Sequence, residues 1–328
     1  MSTAASPSTS RPSAAARLER LPFSGYHRTI FLIIAIAFFF DSVDLGTMTF
    51  VLGSIRTEFG LSSAAAGLVA SASFFGMVLG AAVAGLLADR FGRRPVFQWS
   101  MVLWGLASYL CSTAHSVDAL IFYRILLGIG MGMEFPIAQT LLSEFVPTAS
   151  RGRLVALMDG FWPLGFITAG VVSYFVLPQF GWRTVFALLA IPAVFVLFVR
   201  RLVPESPRWL EHRGRLHQAD AVLVQIEAKV MKSKGLTSLP APSMLVEAVG
   251  QRTRSAFREI WSAAYRQRTI MVWTLWFFAL LGFYGLTSWL GALMQQAGVA
   301  VTKSVLYTVL ISLGGIPGFL CAAWLVER

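Results

Sequence analysis

Eight runs of about twenty mostly apolar residues, at 29–52, 64–87, 96–114, 117–142, 154–177, 182–202, 269–292 and 303–326, limit what this chain can become. A helix of that length crosses the roughly 30 Å hydrocarbon core of a bilayer. Only backbones that satisfy their own hydrogen bonds persist there. Composition points the same way, with 13% charged residues and 56% hydrophobic; soluble domains carry about 25% charged. The expected fold class is an all-α membrane protein. The first run is too long for a secretory signal, holds Asp41 and Asp44, and lacks a small-residue cleavage site.

Lys and Arg set the orientation. Of 27 basic residues, 23 fall in the N-terminal segment, the links after the second and fourth runs, the long segment 200–268, or at Arg328. The opposite links hold Arg56, Arg183 and Lys303. Both termini are therefore expected in the cytoplasm of a multi-pass inner (plasma) membrane protein. The net charge of +11 serves topology, and no nucleic-acid partner is expected.

Four regions follow. Residues 1–20, rich in Ser, Ala and Pro, are expected to be a disordered cytoplasmic tail. Residues 21–210 form a six-span domain. Residues 211–268 form a cytoplasmic linker, with amphipathic helices expected at 215–230 and 255–265 and a mobile stretch between them. Residues 269–328 carry two further spans. A faint repeat supports this division: Gly80, Leu87, Asp89 and Arg90 align with Gly318, Leu325, Glu327 and Arg328. A duplicated six-helix unit produces such a pattern, and the second unit is expected to stop after its first two helices, the chain being cut short.

Ionisable groups within spans cost about 2.5–3.5 kcal/mol each at the helix centre, and they usually line wet paths or pair with each other. The candidates are Asp41, Asp44, Glu134 and Asp159, against one base, Arg124. Asp41 and Asp44, three residues apart, share a face of the first span. Near Arg124, such a carboxylate makes a proton switch: protonation removes an attraction that holds two helices together. A packing role without transport is the open alternative. Asp159 lies close to the cytoplasmic end of its span.

Gly128, Gly130 and Gly132 follow no strand, so they read as close helix contacts and not as a phosphate loop. Pro136, Pro163, Pro192 and Pro317 interrupt spans, and Pro163 after Trp162 suggests a bend beside a cavity. Cys111 and Cys321 have no metal-ligand spacing and read as small hydrophobes. No metal cluster, cofactor motif or nucleophile elbow is present, so an enzyme is not expected.

Several motifs now coincide. Gly85-Leu-Leu-Ala-Asp89-Arg90-Phe-Gly92-Arg93-Arg94 resembles the link between helices 2 and 3 of the major facilitator superfamily. Arg124-x-x-x-Gly128-x-Gly130-x-Gly132 resembles its helix 4 signature. Glu144 with Arg151-Gly152-Arg153, and Pro204-Glu205-Ser206-Pro207-Arg208-Trp209-Leu210, resemble the sugar-porter branch. The fifth and seventh spans lack that branch's glutamines. Asp41-Ser-Val-Asp44, Gly132-Met-Glu134-Phe-Pro136 and Thr287-Ser288-Trp289-Leu290 are instead similar to metabolite/proton symporters, the group of niacin and aromatic-acid carriers and of relatives of synaptic vesicle protein 2.

The resemblance implies a major-facilitator bundle with a complete six-helix first half and the first two helices of the second. It implies a cytoplasmic gating network of Asp89, Arg93, Arg94, Glu144, Arg151, Arg153, Glu205 and Arg208. The expected function is proton-coupled symport of a small organic acid. Asp44, Asp41, Arg124 and Glu134 are the candidates for proton coupling. Arg124, Trp162, Tyr284 and Trp289 are the candidates for binding substrate, the aromatic residues by stacking on a ring. The expected partners are the substrate, the proton and the bilayer. A sugar or polyol porter, a membrane sensor or scaffold, and an inactive shortened carrier stay open as alternatives.

Overall fold

The computed structural model describes residues 11–242 and 259–325, and among them every regular element is helical. The long helices are α2 (Gly25–Phe59), α3 (Ser63–Phe91), α4 (Arg93–Ser112), α5 (Val117–Phe145) and α7 (Phe161–Leu189). Shorter ones are α1 (Ala14–Glu19), α6 (Thr148–Asp159), α8 (Val196–Leu202), α9 (Pro207–His212) and α10 (Leu216–Lys234). The chain then continues through α11 (Arg266–Gln296), α12 (Val301–Leu313) and α13 (Gly315–Leu325). Starts and stops obey local chemistry. Ser62 and Ser116 cap α3 and α5 with their hydroxyls, and Gly60 ends α2 in the left-handed region at φ 61°.

Six helical stretches among the described residues are long and apolar enough to cross a membrane: Gly25–Phe59, Ser63–Phe91, Val117–Phe145, Thr148–Phe195, Arg266–Gln296 and Val301–Gly318. The fourth holds the expected fifth span and most of the sixth. They are divided at Gly181, whose φ of 75° breaks the helix. α4 sits where the third span is expected, packed on α5 and α7. Gln98, Ser100 and Ser108 make it more polar than the others.

Three helix ends lie just before a proline, while Pro136 and Pro178 stay inside α5 and α7. A proline lacks the N–H that bonds to residue i−4, and its ring collides with that carbonyl. α6 ends at Asp159, four residues before Pro163, and α12 ends at Leu313, four before Pro317. α7 ends at Leu189, three before Pro192. The interruption before Trp162 falls at Gly160, three residues before Pro163, and the backbone there stays in the right-handed helical region.

α3 and α4 flank α5, α2 lies along α7, and α11 and α12 dock on α2 and α7. α5 lies in backbone contact with both flanks. A Cβ at Gly128 would run into the Ser73 carbonyl of α3, and one at Gly130 would come 2.7 Å from the Trp104 amide of α4. At the end opposite the basic links, Glu58 accepts bonds of 2.6 Å from Trp182 Nε1 and from Arg183. The outer faces of α11 are apolar and exposed, including Trp273, Phe277 and Leu286; such surfaces suit hydrocarbon.

The expectation of a disordered tail fails for its described part. Residues 14–19 are helical, with Leu18 buried. Arg17 pairs with Asp220 at 2.8 Å and Glu227 at 2.7 Å, Arg20 with Glu227 at 2.7 Å, and Arg11 with Asp220. Ala14 N–H donates to Glu211, and Glu19 accepts from Thr148 at 2.7 Å. Charge pairing with α10 and burial of Ala14, Leu18 and Leu21 in the same core as Leu223, Ile226 and Val230 together supply the order. The amphipathic helix expected at 215–230 is α10, with Leu223, Ile226 and Val230 buried. Of that expected at 255–265, residues 255–258 lie outside the described residues, and 261–265 form turns before α11. Glu327 and Arg328 also lie outside them.

Candidate functional site

The face of α2 that carries Asp41 continues at Leu45, Met48 and Thr49, four, seven and eight residues on. These three residues wall a cavity at the centre of the bundle. α3 contributes Phe74, α5 Arg124, α7 Trp162 and Phe166, and α11 Tyr284, Thr287 and Ser288. The free volume is about 10 Å³, room for the centre of a single water. The wall has one cation, three hydroxyl side chains besides Tyr284, and four aromatic rings, among which Phe74 and Tyr284 lie 4.8 Å apart. It carries no amide side chain.

Arg124 is 0% exposed. Its Nη1 stands 3.8 Å from Asp44 Oδ1, beyond hydrogen-bond length, and Asp44 is equally sealed. Nε, Nη1 and Nη2 have no hydrogen-bond partner among the described residues, nor does either oxygen of Asp44. The Phe186 ring lies 5.8 Å from the guanidinium carbon. At 4 Å and an effective dielectric near 20 such a pair attracts by about 4 kcal/mol, and desolvation of both ions offsets much of that. The guanidinium therefore has unused donors facing a cavity.

Asp41 is 2% exposed and interacts electrostatically with Glu134 and Asp44. Glu134 Oε2 accepts from Trp104 Nε1 at 2.9 Å and Ser100 Oγ at 3.5 Å, while its Oε1 is unbonded. The structure thus gathers Asp41, Asp44, Glu134 and Arg124, three acids to one base. Asp159, half-buried at the end of α6, stands apart from the cavity wall.

Trp162 and Tyr284 line the cavity, and Trp289 does not. Its ring packs at Gly67 of α3, 3.3 Å from where a Cβ would stand. The cause is helical phase: at about 100° per residue, five residues turn Trp289 some 140° from Tyr284. Thr287 and Ser288, three and four residues on, stay on the Tyr284 face. Phe166 follows Trp162 by four in the same way. Sequence reasoning missed Phe74, Phe166 and Thr49 as wall residues, although this spacing marks the last two.

On the face assigned to the cytoplasm, Arg93 joins Asp89 at 3.1 Å and Glu144 at 3.4 Å. Glu205 Oε1 accepts from the amides of Arg93 (3.0 Å), Arg94 (3.3 Å) and Ser206 (2.9 Å). Burial pushes the Glu205 carboxyl above its usual range, and these amides with Arg93 offset only part of that. Trp209 Nε1 donates to the Asp89 carbonyl at 2.9 Å. Three of the expected network residues are not joined to it. Arg151 reaches only the Val146 carbonyl, Arg153 is exposed, and Arg208 makes no ion pair among the described residues. Arg151 and Arg153 lie on α6 beyond the α5 end, and Arg208 projects from a one-turn helix whose Trp209 faces Asp89.

Residues 34–328 match the family model described as Major Facilitator Superfamily. The chain is 36% identical to the niacin transporter NiaP of Acinetobacter baylyi over 312 residues, covering 95% of this chain and 70% of that protein. It is 33% identical to the 4-hydroxybenzoate transporter PcaK of the same organism, covering 96% and 68%. A solved structure of the proton:xylose symporter XylE with 6-bromo-6-deoxy-D-glucose superposes with a TM-score of 0.68. That alignment covers 92% of this chain and 70% of the other at 22% identity, a likeness of fold.

Proposed function

The chain belongs to the Major Facilitator Superfamily, and from that membership we propose that it is a secondary active carrier for a small aromatic acid moved together with protons. One observation carries the reading: a buried guanidinium with unused donors faces a cavity walled by aromatic rings. Arginine holds carboxylates through paired N–H donors. Trp162, Phe166 and Tyr284 offer faces and edges for a ring. The relatives' substrates, niacin and 4-hydroxybenzoate, combine those two features.

The mechanism follows from charge. A proton on Asp44 cancels its attraction for Arg124 and leaves the guanidinium to the substrate carboxylate. Asp41 and Glu134 share the same buried field and tune that exchange. Each proton that enters lowers the excess of three acids over one base, which makes helix rearrangement easier inside a low-dielectric bundle. The tight cavity has to widen for a ring to enter, so binding is tied to movement of α7 and α11 against α2. The junction of Asp89, Arg93, Glu144 and Glu205 serves as a cytoplasmic latch on that movement, and the N-terminus lies in the cytoplasm of the inner membrane.

The test is binding to the purified chain, with nicotinate, 4-hydroxybenzoate, xylose and glucose as ligands. Stabilisation by the acids and not the sugars is expected. Binding of sugars in preference to acids would overturn the reading.

A further inference from the structure

A second cavity, of about 210 Å³, lies between the cytoplasmic ends of the spans and α10. Tyr26 at the start of α2, Arg94 at the start of α4, Arg201 at the end of α8, and Gln225 and Lys229 on α10 bound it. It shares no residue with the cavity at Arg124. Three cationic side chains line it and no carboxylate does. The cations that bear on binding are Arg201 and Lys229; of the acids near the wall, Glu205 accepts from the amides of Arg93, Arg94 and Ser206, and Glu227 pairs with Arg17 and Arg20.

Tyr26 supplies a second, independent observation. It is 9% exposed, and its hydroxyl is buried without a hydrogen-bond partner among the described residues. A buried donor is ordinarily satisfied. Tyr26 and Lys229 line the same cavity, with Lys229 Nζ 5.7 Å from the centre of the Tyr26 ring. A concave wall of one charge sign concentrates the field. Arginine and lysine with a neutral O–H donor suit phosphate oxygens. The volume is below the roughly 300–1,000 Å³ of sites for drug-sized ligands, so a phosphate with a short tail fits and a coenzyme does not.

We propose that this cavity binds a phosphate group, presented by the headgroup of an anionic phospholipid or by a soluble phosphate. Depth suits either source. The wall sits at the ends of the membrane helices, where anionic lipid phosphates attract basic side chains, and it opens beside a polar helix. Occupancy ties α10 to the starts of α2 and α4.

The experiment uses the 328-residue chain in neutral detergent. Native mass spectrometry and thermal unfolding follow titrations with phosphatidylglycerol, phosphatidylcholine and inorganic phosphate. Phosphatidylglycerol is expected to bind at least about tenfold more tightly than phosphatidylcholine, and R201A/K229A to remove most of that preference. Y26F is expected to weaken binding several-fold without altering the fold. K232A/K234A removes equal charge outside the cavity and is expected to change affinity less than about twofold. Inorganic phosphate that binds and displaces the lipid identifies a soluble source; lipid binding unaffected by phosphate identifies the headgroup. The proposal is overturned if neither binds, if R201A/K229A binds like the wild type, or if K232A/K234A loses as much as R201A/K229A.

Discussion

Arg124 Nη1 lies 3.8 Å from Asp44 Oδ1, with both side chains closed to solvent and neither hydrogen-bonded to the other. Removing one partner leaves a buried charge alone, which typically costs roughly 3–5 kcal/mol, whereas removing both costs much less. D44N and R124Q are each expected to lower thermal stability in detergent, and the double variant to recover most of the loss. Additive losses in that cycle would show that the two groups do not interact.

Gly128 holds α5 against α3. A methyl there meets the Ser73 carbonyl, so G128A is expected to destabilise by about 1–3 kcal/mol through overpacking. Gly282 in α11 has nothing within 4 Å of an added Cβ. G282A is expected to be neutral or stabilising by up to about 1 kcal/mol. Thermal melts of the two variants in the same detergent check the contrast.

Tyr284 and Trp289 separate wall from packing. Y284A is expected to raise KM for an aromatic acid about tenfold or more, in keeping with the loss of a ring contact and its buried area. W289A is expected to reduce stability with KM little changed. Uptake kinetics beside melting curves distinguish them, and equal KM effects would contradict the assigned helix phase.

The clasp of α1 on α10 is pH-dependent in a defined direction. Burial opposes ionisation of Glu227, but hydrogen bonds from Arg17 and Arg20 outweigh it and hold the carboxyl below its usual range. A lowered folded value means the stabilisation is fully present above the unfolded pKa, about 4.3. It is lost as pH falls through the lower folded value. Hydrogen exchange of residues 14–19 is expected to stay slow at pH 6 and rise below about pH 4. In E227Q it is expected to be fast at both. Unchanged protection in E227Q would remove Glu227 from the clasp.

Part of the site was legible in the sequence. The lone base Arg124, Trp162 and Tyr284 were found as wall residues, while Leu45, Met48 and Thr49, four, seven and eight positions after Asp41, were not named although the spacing marks them. The facing of α11 was only partly legible. Its first half is almost wholly apolar, with Trp273, Trp276 and Phe277 all exposed, and only the short polar run of Tyr284, Thr287 and Ser288 marks the side that meets the bundle. The order of residues 14–19 was hidden because its partners, Asp220 and Glu227, lie some two hundred residues away along the chain. Pro163 and Pro317 announced interruptions, and only the i−4 clash explains why the helices end at Asp159 and Leu313.

The most direct measurement is uptake of labelled nicotinate and 4-hydroxybenzoate into proteoliposomes under an imposed inward proton gradient, comparing the wild type with D44N. The wild type is expected to accumulate substrate above its outside concentration. D44N is expected to bind it and still equilibrate no further than that concentration. Accumulation by D44N at the wild-type level would contradict the role given to the Asp44–Arg124 pair.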